Sequence, residues 1–287
     1  MKKKAIIFSI LFVLFVSLLL LYSRFIGTTG LNINEYKLKY NNLSKDFYGF
    51  KIAHITDIHY GRTINDKELE NIVKKINLTK PDLVFFTGDL IDKDTKLTTK
   101  NKKNIIEILS KIDVTIDKYY ITGNHDYKNK DYDSIMTSAG FRNLNNNYDL
   151  IYPKGTDYIL ISGISTSLYG KESSKEKIQS TIDYLNNSEI KPNYSILLIH
   201  EPDIIDSIDF NKFNLVLAGH SHGGQIRLPI LGPLYTPPYA KKYYDSHYKI
   251  SDTNLYISSG IGVSTINYRL NNPPSINFYR IFKEVSK

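Results

Sequence analysis

The 287 residues are 41% hydrophobic and 23% charged, too apolar and too evenly charged for a disordered chain. No cysteine is present, which excludes disulfides, a thiolate nucleophile and sulfur-ligated zinc or iron–sulfur centres, so any metal must rest on nitrogen and oxygen. The formal charge is +8, but Lys2, Lys3, Lys4 and Arg24 supply half of it; the rest of the chain, with 33 basic against 29 acidic residues, gives little support for a nucleic-acid groove.

Ala5 to Tyr22 reads AIIFSILFVLFVSLLLLY, eighteen residues without a charge. As a helix it spans about 27 Å, against a hydrocarbon core of about 30 Å. Three lysines precede it and one arginine follows, a bias that keeps the N-terminus in the cytoplasm and sends the body across. Two other readings are a cleaved signal peptide and a buried core helix. The run exceeds the usual signal core of about 7 to 15 residues and lacks an A-x-A-like site, and an all-round apolar segment of this length suits lipid better than a core. Residues 1–30 are therefore expected to be a membrane anchor or uncleaved signal, with a single pass through the cell membrane and an extracytoplasmic C-terminal domain.

From about Leu31, short apolar runs alternate with turn-rich segments: Lys51 to Thr56, Leu83 to Thr87, Lys118 to Thr122, Tyr158 to Gly163, Tyr194 to Ile199, Leu215 to Ala218, Asn254 to Ser258 and Ile276 to Phe282. These read as strands. Helical spacing of apolar residues marks Asp66 to Asn77 and Lys103 to Ile112, and Lys93 to Lys103 reads as a solvated loop. The alternation predicts an α/β fold, and no composition break divides residues 31–287.

The chemically capable residues follow strand ends: Asp57 and His59, Gly88 and Asp89, Asn124, His125 and Asp126, His200, then His220 and His222. Loops beyond the carboxyl ends of strands form the ligand crevice of open α/β sheets. The i, i+2 pairs would, in extended backbone, send both side chains to one side. Carboxylates and imidazoles without sulfur suit Mn, Fe, Zn or Ni, and this many of them suggests a dinuclear centre. Gly88, Gly123 and Gly219 would let the chain turn sharply into the site. His54, at an odd offset from Asp57, is expected on the opposite face, and His247 at the surface. Gln225 and Arg227 are candidates for substrate phosphate contact. Core and surface packing account for most of the 23 tyrosines, although aromatic surface beside an anchor can rest at a bilayer interface.

The order D-x-H, G-D, G-N-H-D, H, G-H-x-H, each element after an apolar strand, resembles the calcineurin-like metallophosphoesterase superfamily over residues 51 to about 222. GHSHGGQIRLP (Gly219 to Pro229) and YRLNNPP (ending at Pro274) look like its bacterial membrane-associated branch, distantly similar to UDP-2,3-diacylglucosamine pyrophosphatases. The resemblance implies a four-layer αββα sandwich and two divalent ions. It implies that Asp57, His59 and His222 hold one ion, that Asn124, His200 and His220 hold the other, and that Asp89 bridges them. His125 would stand beside the leaving-group oxygen, with Asp126 orienting its ring. Two cations bring a bridging water toward neutrality, from about 15.7, so that hydroxide can attack phosphorus. The implied reaction is phosphomonoester or phosphodiester hydrolysis on a lipid headgroup, cell-wall polymer or nucleotide-linked precursor. A nuclease and a non-catalytic metal- or partner-binding ectodomain are the alternatives.

Overall fold

The computed structural model describes residues 2–41, 43–153, 155–166, 179, 182–183, 187, 192–210 and 212–283. The first apolar run forms helix α1 (Lys2–Leu21), prolonged by a π-type turn over Tyr22–Ile26. No residue of α1 is buried, so it is not a core helix. Together, Lys2–Ile26 are long and apolar enough to cross a membrane.

Two six-stranded sheets follow. The first contains β1 (Asn32–Tyr40), β2 (Phe50–Ile55), β3 (Leu83–Phe86), β4 (Asp117–Tyr120), β5 (Arg142–Asn143) and β14 (Ser275–Lys283), in the order β1-β14-β2-β3-β4-β5. The second contains β6 (Asn147–Ile151), β7 (Ile159–Gly163), β8 (Tyr194–Leu198), β9 (Leu215–Ala218), β12 (His247–Ile250) and β13 (Thr253–Ile257), in the order β12-β13-β9-β8-β7-β6. A small antiparallel hairpin, β10 (Arg227–Leu228) with β11 (Gly232–Pro233), stands apart from both.

The central strands are buried on both faces, which is why they read as continuous apolar runs. Alternate residues still serve different layers. Leu83 and Phe85 of β3 enter the core between the sheets, where they join Ile196 and Leu198 of β8 and Leu215 and Leu217 of β9. Val84 and Phe86 point the other way, into a core shared with α2 (Asp66–Thr79), α3 (Thr99–Ser110) and α4 (Tyr132–Ser138). The outer face of the second sheet is covered, among the described residues, by the 3-10 turn Pro202–Ser207, Phe213 and Tyr243. Most of residues 167–191 lies outside the described set.

Helix α2 starts where Asn65 and Glu68 form a capping box and buries Leu69, Ile72, Val73 and Ile76 on one face. Helix α3 begins four residues earlier than the apolar spacing predicts. Thr98 and Asn101 cap it, so the second half of the expected Lys93–Lys103 loop is helical. Strand β1 also escaped the reading for apolar runs because it alternates: Tyr36, Leu38 and Tyr40 face the inter-sheet core, while Glu35, Lys37 and Lys39 are exposed. It pairs in parallel with β14 along nine residues.

Candidate metal centre

The carboxyl ends of β2, β3 and β4 meet those of β8 and β9, and every residue expected from the sequence to bind metal lies in the loops just beyond them. The backbone there is not extended. Asp57, His59, Asp89, His220 and His222 all have positive φ, between 47° and 62°, a costly region for residues with a Cβ that collects at functional sites. The i, i+2 pairs therefore converge through left-handed turns rather than through strand alternation. Backbone bonds hold the turns: Asp57 N donates to Gly88 O at 2.9 Å and His59 N to Asp89 O at 3.1 Å. Close approach fixes the residue type at Gly123, where a Cβ would lie 2.3 Å from Asp89 Oδ1.

Asp57, His59 and His222 present donor atoms to a common point, and so do Asp89, His200 and His220. His222 Nε2 is 3.3 Å from Asp57 Oδ1 and 3.0 Å from His59 Nε2. Asp89 Oδ2 lies between the groups, 3.7 Å from His59 Nε2 and 3.4 Å from His200 Nε2. Asp57 is fully buried and Asp89 nearly so, and among the described residues their ion-pair partners are histidines only. Burial opposes ionisation of Asp89, yet His200, His125 and His59 hold its carboxyl well below the usual range. Burial, reinforced by His59 and Arg269, keeps His222 well below its ordinary value.

The tautomers show what the site accepts. His200 Nδ1 is 2.6 Å from the Thr87 carbonyl, which can only accept, so Nδ1 carries the proton and Nε2 offers a lone pair. That lone pair faces Asn124 Oδ1 at 3.1 Å and Asp89 Oδ2 at 3.4 Å. His220 Nε2 likewise donates to Pro238 O at 2.8 Å, freeing Nδ1. Three acceptors directed at one another are an environment that a cation between them satisfies. Without a metal, a second proton on His200 or a turned Asn124 amide would have to fill that place, and Asp89 does raise the His200 imidazole well above its ordinary pKa against the effect of burial. Outer carbonyls that fix imidazole tautomers in this way are the usual support of metal-binding histidines. The donor set fits hard or borderline divalent ions.

His125 stands at the rim, its side chain 10% exposed, with Nε2 3.9 Å from Asp89 Oδ2. Its Nδ1 accepts from Lys93 N at 3.2 Å, so the neutral ring carries its proton on Nε2, facing the site. Asp126 departs from the expectation that it orients this ring. Its carboxylate accepts from the backbone of Asp89 (2.6 Å), Leu90 (3.0 Å) and Gly123 (3.1 Å), because the turn after β4 folds the side chain beneath the Asp89 loop. Gln225 and Arg227 are committed to the protein as well: Gln225 bonds the backbone of Ser264, Ile266 and Tyr268, and Arg227 pairs with Asp245 at 2.5 Å. His54 is buried on the inter-sheet face of β2, near Tyr279, bonded to Thr87 Oγ1 at 2.8 Å, and His247 is exposed.

Sequence reasoning missed two residues. Asp92, three positions after Asp89, is buried with Oδ2 3.7 Å from His59 Nδ1. Arg269, within YRLNNPP, is fully buried and donates to the carbonyls of Ser259, Gly262 and Asn272, with Nη2 3.2 Å from His222 Nδ1. Burial lowers its pKa to about 9. Its five fixed donors tie the loops behind His222 together.

Residues 50–224 match the model of the calcineurin-like phosphoesterase family. The chain belongs to that family. This phosphoesterase is 32% identical over 263 residues to the metallophosphoesterase YkuE of Bacillus subtilis, covering 91% of this chain and 88% of that one. It is 25% identical to the phosphodiesterase YaeI of Escherichia coli, covering 81% and 82%. A zebrafish (Danio rerio) transmembrane protein with a metallophosphoesterase domain is 27% identical over 82% of this chain, which spans about half of it, 54%. The phosphoesterase is thus a metal-dependent phosphoester hydrolase that uses two divalent ions.

Proposed function

We propose that Asp57, His59 and His222 hold one divalent ion, that Asn124, His200 and His220 hold the second, and that Asp89 serves both. The observation that carries this reading is the cluster of lone pairs from His200, Asn124 and Asp89, which a cation relieves at neutral pH without charging a buried ring. When bound, the ions supply Lewis acidity toward phosphoryl oxygens and acidify the attacking water. The chain's own part is positional. Thr87 and Pro238 fix the rings of His200 and His220, Asp126 braces the Asp89 loop, and His125 directs its Nε2 proton at the site, where it can donate to the leaving-group oxygen.

The substrate of this reading is a phosphoester carried by a membrane or envelope molecule. Residues 1–30 anchor the chain and residues 31–287 form the catalytic domain, which Lys2 to Lys4 ahead of the span direct to the extracytoplasmic side. A cleft of about 470 Å³ adjoins the metal centre, with Ile226, Leu234, Tyr235, Pro237, Pro238 and Ile266 on its walls. Such walls suit a substrate whose phosphate is attached to an apolar body. The test is release of p-nitrophenol from mono- and bis-esters by the full chain in detergent, first stripped of metal and then supplied with Mn, Zn, Fe or Ni. Metal-dependent release that Asp89→Ala abolishes is expected. Undiminished release by the stripped enzyme would refute the reading.

A further inference from the structure

The hairpin beside the cleft presents apolar side chains to solvent where a soluble turn would be polar. Ile230 is fully exposed and Leu231 is 78% exposed, and Leu234 and Tyr235 on the returning limb are both more than half exposed. The turn also places Ile230, a β-branched residue, at φ 70°, where glycine or asparagine is the ordinary choice. Neither feature helps the protein in water, and the tip packs on no described part of the fold.

The hairpin is joined to the end of the apolar helix by two residues. Arg269 N donates to Ser23 O at 2.9 Å, while Leu270 N donates to Gln225 O at 3.0 Å and Leu270 O accepts from Arg227 N at 2.9 Å. Residues 269 and 270 therefore bridge the point where the span ends and the point where the hairpin starts. Of the cations near the hairpin, Arg227 pairs with Asp245 and Lys242 with Asp206, which leaves Lys241 to meet a headgroup. The Lys241 ammonium lies 4.7 Å over the Tyr235 ring, an aromatic and cationic pair of the kind that settles at the headgroup level.

We infer that the 226–235 hairpin is a second membrane contact, whose Ile230–Leu231 tip enters the bilayer interface and holds the mouth of the metal cleft against the lipid headgroups. This rests on reading residues 2–26 as a span. It adds that the enzyme takes phosphoesters directly from the membrane surface, with Leu234 and Tyr235 forming a continuous apolar path from bilayer to cleft.

The chain contains no tryptophan, so Leu231→Trp introduces a single indole. The full-length variant is reconstituted in vesicles of mixed zwitterionic and anionic phospholipid with or without brominated acyl chains. Strong quenching at position 231 is expected, with little at Leu78→Trp, an exposed site at the far end of α2. Equal quenching at the two positions overturns the inference, as does a shielded, unquenched position 231 in a dimer, which would assign the tip to a second copy. Ile230→Asp with Leu231→Asp should leave p-nitrophenyl ester hydrolysis unchanged and lower hydrolysis of a vesicle-embedded phosphoester by tenfold or more; a parallel fall on both substrates also overturns it. Failure of wild-type ester hydrolysis would count against the proposed reaction alone, since the quenching result is independent of turnover.

Discussion

Asp126→Asn separates two accounts of the same residue. In the native protein Oδ2 accepts from Asp89 N and Gly123 N, and Oδ1 accepts from Leu90 N. An asparagine keeps one acceptor oxygen and turns an NH2 group toward the other donor. In its best orientation it retains the two bonds at the Oδ2 position without charge assistance, at a cost of about 1 kcal/mol each, and strands the buried Leu90 N–H, at about 1–3 kcal/mol. An opposing contribution acts in the metal-free protein, where burial and the Asp89 charge push the Asp126 carboxyl up to about 7; removing that charge relieves the repulsion. Bound cations neutralise Asp89 and cancel the relief, so the loss of about 3–5 kcal/mol falls chiefly on the loaded enzyme. Metal affinity should drop by roughly 10- to 100-fold, as for other residues that support ligands from behind. Guanidinium unfolding of loaded and chelated protein, with calorimetric metal titration, reads both quantities. A lower kcat with unchanged metal affinity and unchanged unfolding midpoint would refute the bracing role and restore the expectation that Asp126 orients His125.

His125→Ala should retain both metals by elemental analysis and lose roughly 10²- to 10⁴-fold in kcat; metal loss would recast the ring as a ligand. Gly123→Ala forces a Cβ against Asp89 Oδ1 and Asp89 N, at 2.3 and 2.5 Å, and should lower both thermal stability, by about 1–3 kcal/mol, and metal content. A variant with wild-type melting and metal content would show that the loop yields. Burial, partly offset by Asp57, lowers the pKa of His54 to about 3. The native ring therefore stays neutral below about 6.5, where the unfolded ring takes up a proton, so stability falls by about 1.4 kcal/mol per pH unit as pH drops from there toward 3. In chelated protein, His54→Asn should flatten the unfolding free energy against pH between about 6 and 4.5 by that slope; parallel curves would refute it.

Much of this protein was legible in one dimension because its signals are local. A strand buried on both faces is a continuous apolar run, so LVFF and LVLA announced themselves, and the loops after β2, β3, β4, β8 and β9 carried donors of the right chemistry. The apolar run at the N-terminus needed only its length and composition to be read as a helix able to cross a membrane. The i, i+2 spacing marked side chains that reach the site but was wrong as geometry, since the turns are left-handed. Strand β1 and the start of α3 were hidden by alternation and by a polar cap.

What only the tertiary structure decided are contacts between loops remote in sequence. Asp126 reaches the Asp89 loop across 37 residues, and Arg269 reaches His222 across 47. Sheet pairing fixes which loop lies under which, and a carboxylate among unpaired N–H groups binds them before it can reach a neighbouring ring. Carbonyls of two other loops, at Thr87 and Pro238, set the tautomers of His200 and His220. Sequence named the atoms able to hold metal; the register of two sheets chose which lone pairs face one another.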